Sequence, residues 1–116
     1  MTATSKVLIA HQNVENAQTT KYTSPVAASG GKGTWIDKFT ATNYSAGVQT
    51  ISVNLVTVGD AAGNANLVVK ARSLAAGETY FFPELVGKFL GPGDFISWIA
   101  SAATSISAGA NGREVT

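Results

Sequence analysis

The chain has 116 residues, carries eight Lys plus Arg against seven Asp plus Glu for a net charge of +1, and contains no cysteine. That length fits one domain around one core, and the missing cysteines exclude disulfides, thiolate metal sites and cysteine nucleophiles. No two basic residues are adjacent, so the clustered positive charge of a nucleic-acid footprint is absent and no nucleic-acid partner is expected.

Charged residues make up only 13% of the chain, about half of the roughly 25% usual in soluble domains. The surface must therefore be covered largely by the 23 Ser and Thr and the 18 Ala. Two descriptions fit: a neutral, Thr-rich β-protein, or a chain normally packed into an assembly. No apolar run reaches the roughly 18 residues of a membrane span. Polar Thr2, Thr4, Ser5 and Lys6, ahead of only four apolar residues, do not read as a signal peptide, so a protein made in the cytoplasm with no membrane partner is the expectation.

Short segments rich in Val, Ile, Thr and aromatics recur between Gly, Asn, Asp and Pro clusters, which predicts an all-β, antiparallel, jelly-roll-like sandwich spanning residues 1–116 as a single domain. Residues 1–33 read as its less regular part. They hold a short apolar run at 6–10, a Thr-rich run at 18–24 and a small-residue loop at 25–33 expected to be flexible. Residues 34–44 and 48–58 are the clearest strands, and the Ser45-Ala46-Gly47 link between them predicts a bulged hairpin. In the first arm Trp35, Phe39 and Ala41 share a face with Asp37, so either a bulge or a strand end turns Asp37 to water or a buried carboxylate needs a partner. In the second arm Ile51, Val53 and Leu55 point to the core.

Residues 59–66 form a polar turn. The strand at 67–74 then places Leu67, Val69 and Ala71 inward and Lys70 and Arg72 outward. After a turn at Gly77, a strand ends at Phe82. The stretch 83–90 breaks the period of two: Leu85, Val86, Phe89 and Leu90 gather on one side of a helix, with Pro83 and Glu84 at its start and Lys88 near its end. A two-turn helix there should cap an open end of the sandwich, stopped by Gly91-Pro92-Gly93. Glu84 and Asp94 read as cap and turn residues. Phe95-Ile96-Ser97-Trp98-Ile99 carries large apolar groups on both faces, so that strand is central or half covered by another subunit. Residues 104–110 follow, and Asn111-Gly112 would turn the chain into a last strand at 113–116.

Catalytic chemistry has little to work with. A cupin-like metal site needs several His, and His11 is alone. Serine catalysis would depend on that same imidazole, and no nucleophile elbow occurs. The carboxylates Asp37, Glu78, Glu84 and Asp94 each sit where a structural role suffices. Residues 29–34 hold a Gly-Lys pair, but Gly33 breaks the order a phosphate loop requires. Residues 59–66 lack the alternating carboxylates of a calcium loop. No catalytic, cofactor or metal residue is assigned.

The order of segments carries a resemblance: Trp35-Ile36-Asp37-Lys38-Phe39-Thr40-Ala41-Thr42-Asn43, Val53-Asn54-Leu55-Val56-Thr57, Asn66-Leu67-Val68-Val69-Lys70-Ala71-Arg72, the stretch from Gly77 to Gly87, Gly93-Asp94-Phe95-Ile96 and the closing Ala110 to Thr116. Over residues 34–116 the chain resembles a group of small tailed-bacteriophage virion-associated proteins. The resemblance implies a non-enzymatic structural protein of the particle, such as a capsid decoration or cement protein, a neck or tail component or a fibre base. It implies residence in the virion, other virion subunits (the major capsid protein first) as partners, and a homo-oligomer, for instance a trimer. Candidate interface residues are Lys70, Arg72, Tyr80, Phe81, Phe95 and Trp98, each aromatic having core packing as its alternative. A carbohydrate- or receptor-binding module is the competing expectation, and it needs Trp35, Tyr44 and Tyr22 exposed.

Overall fold

A computed structural model describes all of residues 1–116. Nine strands form: β1 (Ala3–Asn13), β2 (Thr19–Thr23), β3 (Gly33–Asn43), β4 (Gln49–Val56), β5 (Leu67–Leu74), β6 (Thr79–Tyr80), β7 (Phe89–Leu90), β8 (Phe95–Ala100) and β9 (Ile106–Val115). They pair antiparallel in two sheets. The first has the order β1-β9-β3-β6, with β7 beside the other end of β3, and the second has the order β2-β8-β4-β5. The chain changes sheet at every connection except β4–β5 and β6–β7, so the two sheets close over one core as the alternating apolar pattern requires.

That core is built by Ile36 and Phe39 of β3, Ile51 and Val53 of β4, Ile96 and Trp98 of β8 and Ile106 and Ala108 of β9. Phe39 lies against Phe82 at 4.8 Å and meets Trp98 edge-on at 6.1 Å. Three core residues come from connections: Val14 between β1 and β2, and Phe82 and Leu85 between β6 and β7.

The bulge expected at Asp37 is present. Register with β9 slips between Ile36 and Lys38, so both Thr34 and Ile36 before it and Phe39 and Ala41 after it face inward, while Trp35 and Asp37 face out. The extra residue reverses parity, which corrects the reading that put Trp35 on the face of Phe39 and Ala41.

Other expectations are corrected as well. The link at residues 44–48 is not a hairpin: β3 and β4 belong to different sheets, because the Asn43 side chain donates to Gly47 O and Leu74 O and accepts from Ser45, bending the chain across the sandwich. Residues 1–33 are regular enough to supply β1 and β2; the strands are masked in sequence because β1 exposes nearly all its side chains. Ala71 is exposed, with a left-handed φ of 47°, at a bulge opposite Ser52, whose hydroxyl accepts its N–H. Asn111-Gly112 does not turn the chain but runs straight through β9.

No helix forms at residues 83–90. Phe82 and Gly87 both have left-handed backbones, φ 45° and 86°, and they bound a single turn in which Leu85 and Val86 donate to Phe82 O. The next donor leaves the helical pattern, since Gly87 N–H bonds Ile36 O in the first sheet, and β7 then pairs with β3. A two-turn helix gains little alone, whereas sheet pairing satisfies the same backbone groups. Leu85 and Leu90 are buried as expected, but Val86 and Phe89 are exposed. The loop at 25–33 is a short 3-10 turn at Ala27–Ser29, with Lys32 N–H tied to Val115 O at 2.8 Å.

Candidate functional site

Each sheet ends in an edge strand on the same side of the sandwich: β5 for the second sheet and β6 for the first. Here four of the six candidate residues lie. The Arg72 guanidinium lies 4.1 Å from the centroid of the Tyr80 ring, and the Tyr80 hydroxyl donates to both Glu84 oxygens at 2.7 Å. That bond holds Tyr80's phenol above its usual value and Glu84's carboxyl below its own. Glu84 therefore serves as the partner of Tyr80 in a turn, not as a helix cap. Beside them Phe81 is 65% exposed, and Lys70 is exposed on the bulged part of β5. Tyr80 also packs on Phe82 at 4.8 Å, so a chain of rings runs from the buried Trp98 through Phe39 and Phe82 to this edge.

The other two candidates lie elsewhere. Trp98 is wholly enclosed and presents nothing to a partner in this fold. Its indole N–H donates to Glu15 at 2.7 Å, and Lys21 bonds the other Glu15 oxygen at 2.8 Å while lying 5.7 Å from the indole centroid. Phe95 is half-buried on β8, opposite Thr23 and Val56, with β4 between it and β5.

Of the rings a glycan or receptor site would need, Tyr22 is buried, and its hydroxyl bonds Glu114 and Thr34 between the sheets. Burial and then the Glu114 bond push its phenol well above the ordinary value. Tyr44 is exposed and donates to Asn13 at 2.7 Å. Trp35 is 38% exposed on the outer face of the first sheet.

That outer face carries groups the sequence reading did not assemble. Phe89, displaced from the expected helix into β7, lies 4.7 Å from Trp35. Arg113, directly opposite Trp35, grips Asp37 through two nitrogens at 3.0–3.2 Å. The lone His11 bonds the Thr40 hydroxyl at 3.2 Å. The signal in the sequence was Asp37 itself, a charge in the middle of an apolar face; its partner, 76 positions away, follows only from the strand order. No three His, Asp or Glu side chains come together. What these two surfaces can do chemically is bind, through rings, a guanidinium and hydrogen-bonding groups.

No protein-family model matches the chain, and neither the curated proteins nor the solved structures gave a match.

Proposed function

We propose that the chain is a non-enzymatic structural protein of a tailed-phage particle, a capsid decoration protein that binds other virion subunits, the major capsid protein first, and assembles as a homo-oligomer. The observation that carries this reading is the edge shared by β5 and β6. There an ordered Arg72–Tyr80–Glu84 cluster stands beside Phe81, the most exposed aromatic of the chain, in a protein with few charges. Exposed aromatic and Arg side chains at a fixed place are the usual anchors of protein interfaces. The bulge at residues 70–71 keeps the edge from indiscriminate strand pairing, so recognition rests on side chains. The sequence likeness over residues 34–116 supports the choice of partner.

The test is sedimentation of the purified protein, alone and with capsids of the phage that encodes it. A trimer or other closed oligomer that binds the capsids saturably, with binding lost in a folded Phe81→Ala, Arg72→Ala double variant, is the expected result. A monomer that leaves the capsids bare would overturn the reading.

A further inference from the structure

The outer face of the first sheet holds a second, separate surface. Strand β9 runs down its middle, with Ala108 and Ala110 facing the core and Gly109, Asn111 and Arg113 facing out. The His11 ring folds over Gly109, within 2.6 Å of where a Cβ would stand, so the imidazole covers the strand there and bounds the open part of the face. Side chains of β1 and β3 rise on either side, so the face is a trough. Two shallow depressions meet in it at Asn111: one includes Ser5, Val7 and Asp37, the other His11, Lys38 and Thr40. The Asp37 bulge widens the β3 wall by turning a charged residue outward that a regular strand would not spare.

Beside the trough, on its β3 side, stand two rings. Ser5, Arg113, Trp35 and Phe89 are successive cross-strand partners in one row over β1, β9, β3 and β7. Trp35 is 38% and Phe89 46% exposed, and each ring partly shields the other at 4.7 Å.

The chemistry of this surface selects a ligand class. Arg113 is matched by Asp37, and of the cations lining the two depressions Lys6 is paired with Glu114 and Lys38 alone stands outside an ion pair, which is too little free cation to hold a phosphate backbone. The apolar part is a single pair of rings, too small for a lipid or a flat protein core. What remains is an aromatic platform followed by a line of donors and acceptors: a guanidinium, a carboxylate, an amide and hydroxyls. A chain of pyranose rings has the matching surface, with C–H faces that pack on aromatic rings and hydroxyls on every edge. We propose that the trough binds an oligosaccharide chain, with one sugar on Trp35 and Phe89 and the hydroxyls of the following sugars bonded by Arg113, Asp37 and Asn111.

The labelled full-length protein applied to an array of bacterial and eukaryotic glycans supplies the probe, and the strongest-binding soluble oligosaccharide is then titrated into 15N-labelled protein. The trough predicts shifts at the Trp35 indole N–H and at the amides of Gly109, Asn111 and Arg113. It also predicts an affinity loss of about tenfold or more in Trp35→Ala and in the milder surface variant Asn111→Ala. Phe81→Ala and Arg72→Ala, at the proposed subunit edge, should bind the sugar unchanged, so this surface can fail or succeed independently of the capsid reading. An array without signal, shifts confined to another face, or unchanged affinity in both Trp35→Ala and Asn111→Ala would overturn the proposal.

Discussion

The two tryptophans divide the molecule into contrasting regions. Trp98 itself is enclosed and doubly fixed: the ring meets Phe39 edge-on, its N–H is bonded to Glu15, whose carboxylate reaches the surface, and Lys21 lies over the ring. Around Trp35 the ring is half in water, tilted against Phe89, with an ion pair beside it that is itself exposed. Each residue sits in a strand among apolar neighbours, and residue type does not separate them. Register does: the bulge at Asp37 sends Trp35 outward and Phe39 inward, while β8, flanked on both sides by other strands, keeps Trp98 under cover.

The sharpest way to break the contrast is to remove each ring. Trp98→Ala opens a cavity in the core and strips Glu15 of a donor, so urea unfolding should show a loss of about 3–5 kcal/mol, whereas Trp35→Ala should lose about 1 kcal/mol or less. Equal losses would mean that both rings are core. The same division runs through the turn between β6 and β7. Leu85→Ala, at a fully buried side chain, should lose about 2–5 kcal/mol, and Phe89→Ala, at an exposed one, about 1 kcal/mol or less. Similar large losses at both positions would restore the packed helix that the sequence periodicity favoured.

A smaller effect belongs to Glu15. Burial alone raises its carboxyl, but bonds from Lys21 and Trp98 outweigh that and hold it below the ordinary value. With the folded pKa depressed, the carboxylate contributes stability that is present above the unfolded value of about 4.3 and is lost as pH falls through the folded one. Glu15→Gln should therefore unfold more easily than the parent at pH 7, by about 0.5–1 kcal/mol because water screens the partly exposed carboxylate, and the difference should shrink in acid. A gap that stays constant down to pH 3 would show that Trp98 and Lys21 gain nothing from the charge.

The sequence made the fold class legible because alternation in β3, β4 and β8 follows directly from a two-faced sheet, and it located the Asp37 bulge because one charge interrupted that alternation. What it hid was set by distant partners. Asn43 crosses the sandwich to Leu74 O and cancels the expected hairpin; Gly87 bonds Ile36 O and ends the helical turn that the spacing of Leu85 to Leu90 extends to two. β1 was obscured for another reason: an edge strand held by β9 on one side alone exposes most of its side chains and shows no apolar alternation. The candidate edge was half legible. Arg72 reads as an outward residue and does meet Tyr80 at the β5–β6 edge, and Tyr80 and Phe81, read as anchors with core packing as the alternative, stay near the surface there, whereas Trp98 goes to the core, where Phe39 covers it on the inner side. The aromatic pair on the opposite surface was invisible, since Phe89 had been given to the buried side of a helix.

Intrinsic fluorescence of two single-tryptophan variants tests this division most directly. In Trp35→Phe, which keeps Trp98, emission should be blue-shifted and acrylamide should quench it poorly; in Trp98→Phe, which keeps Trp35, emission should be red-shifted and readily quenched. Two variants with the same emission and the same quenching would contradict the assignment of one tryptophan to the core and the other to the open outer face.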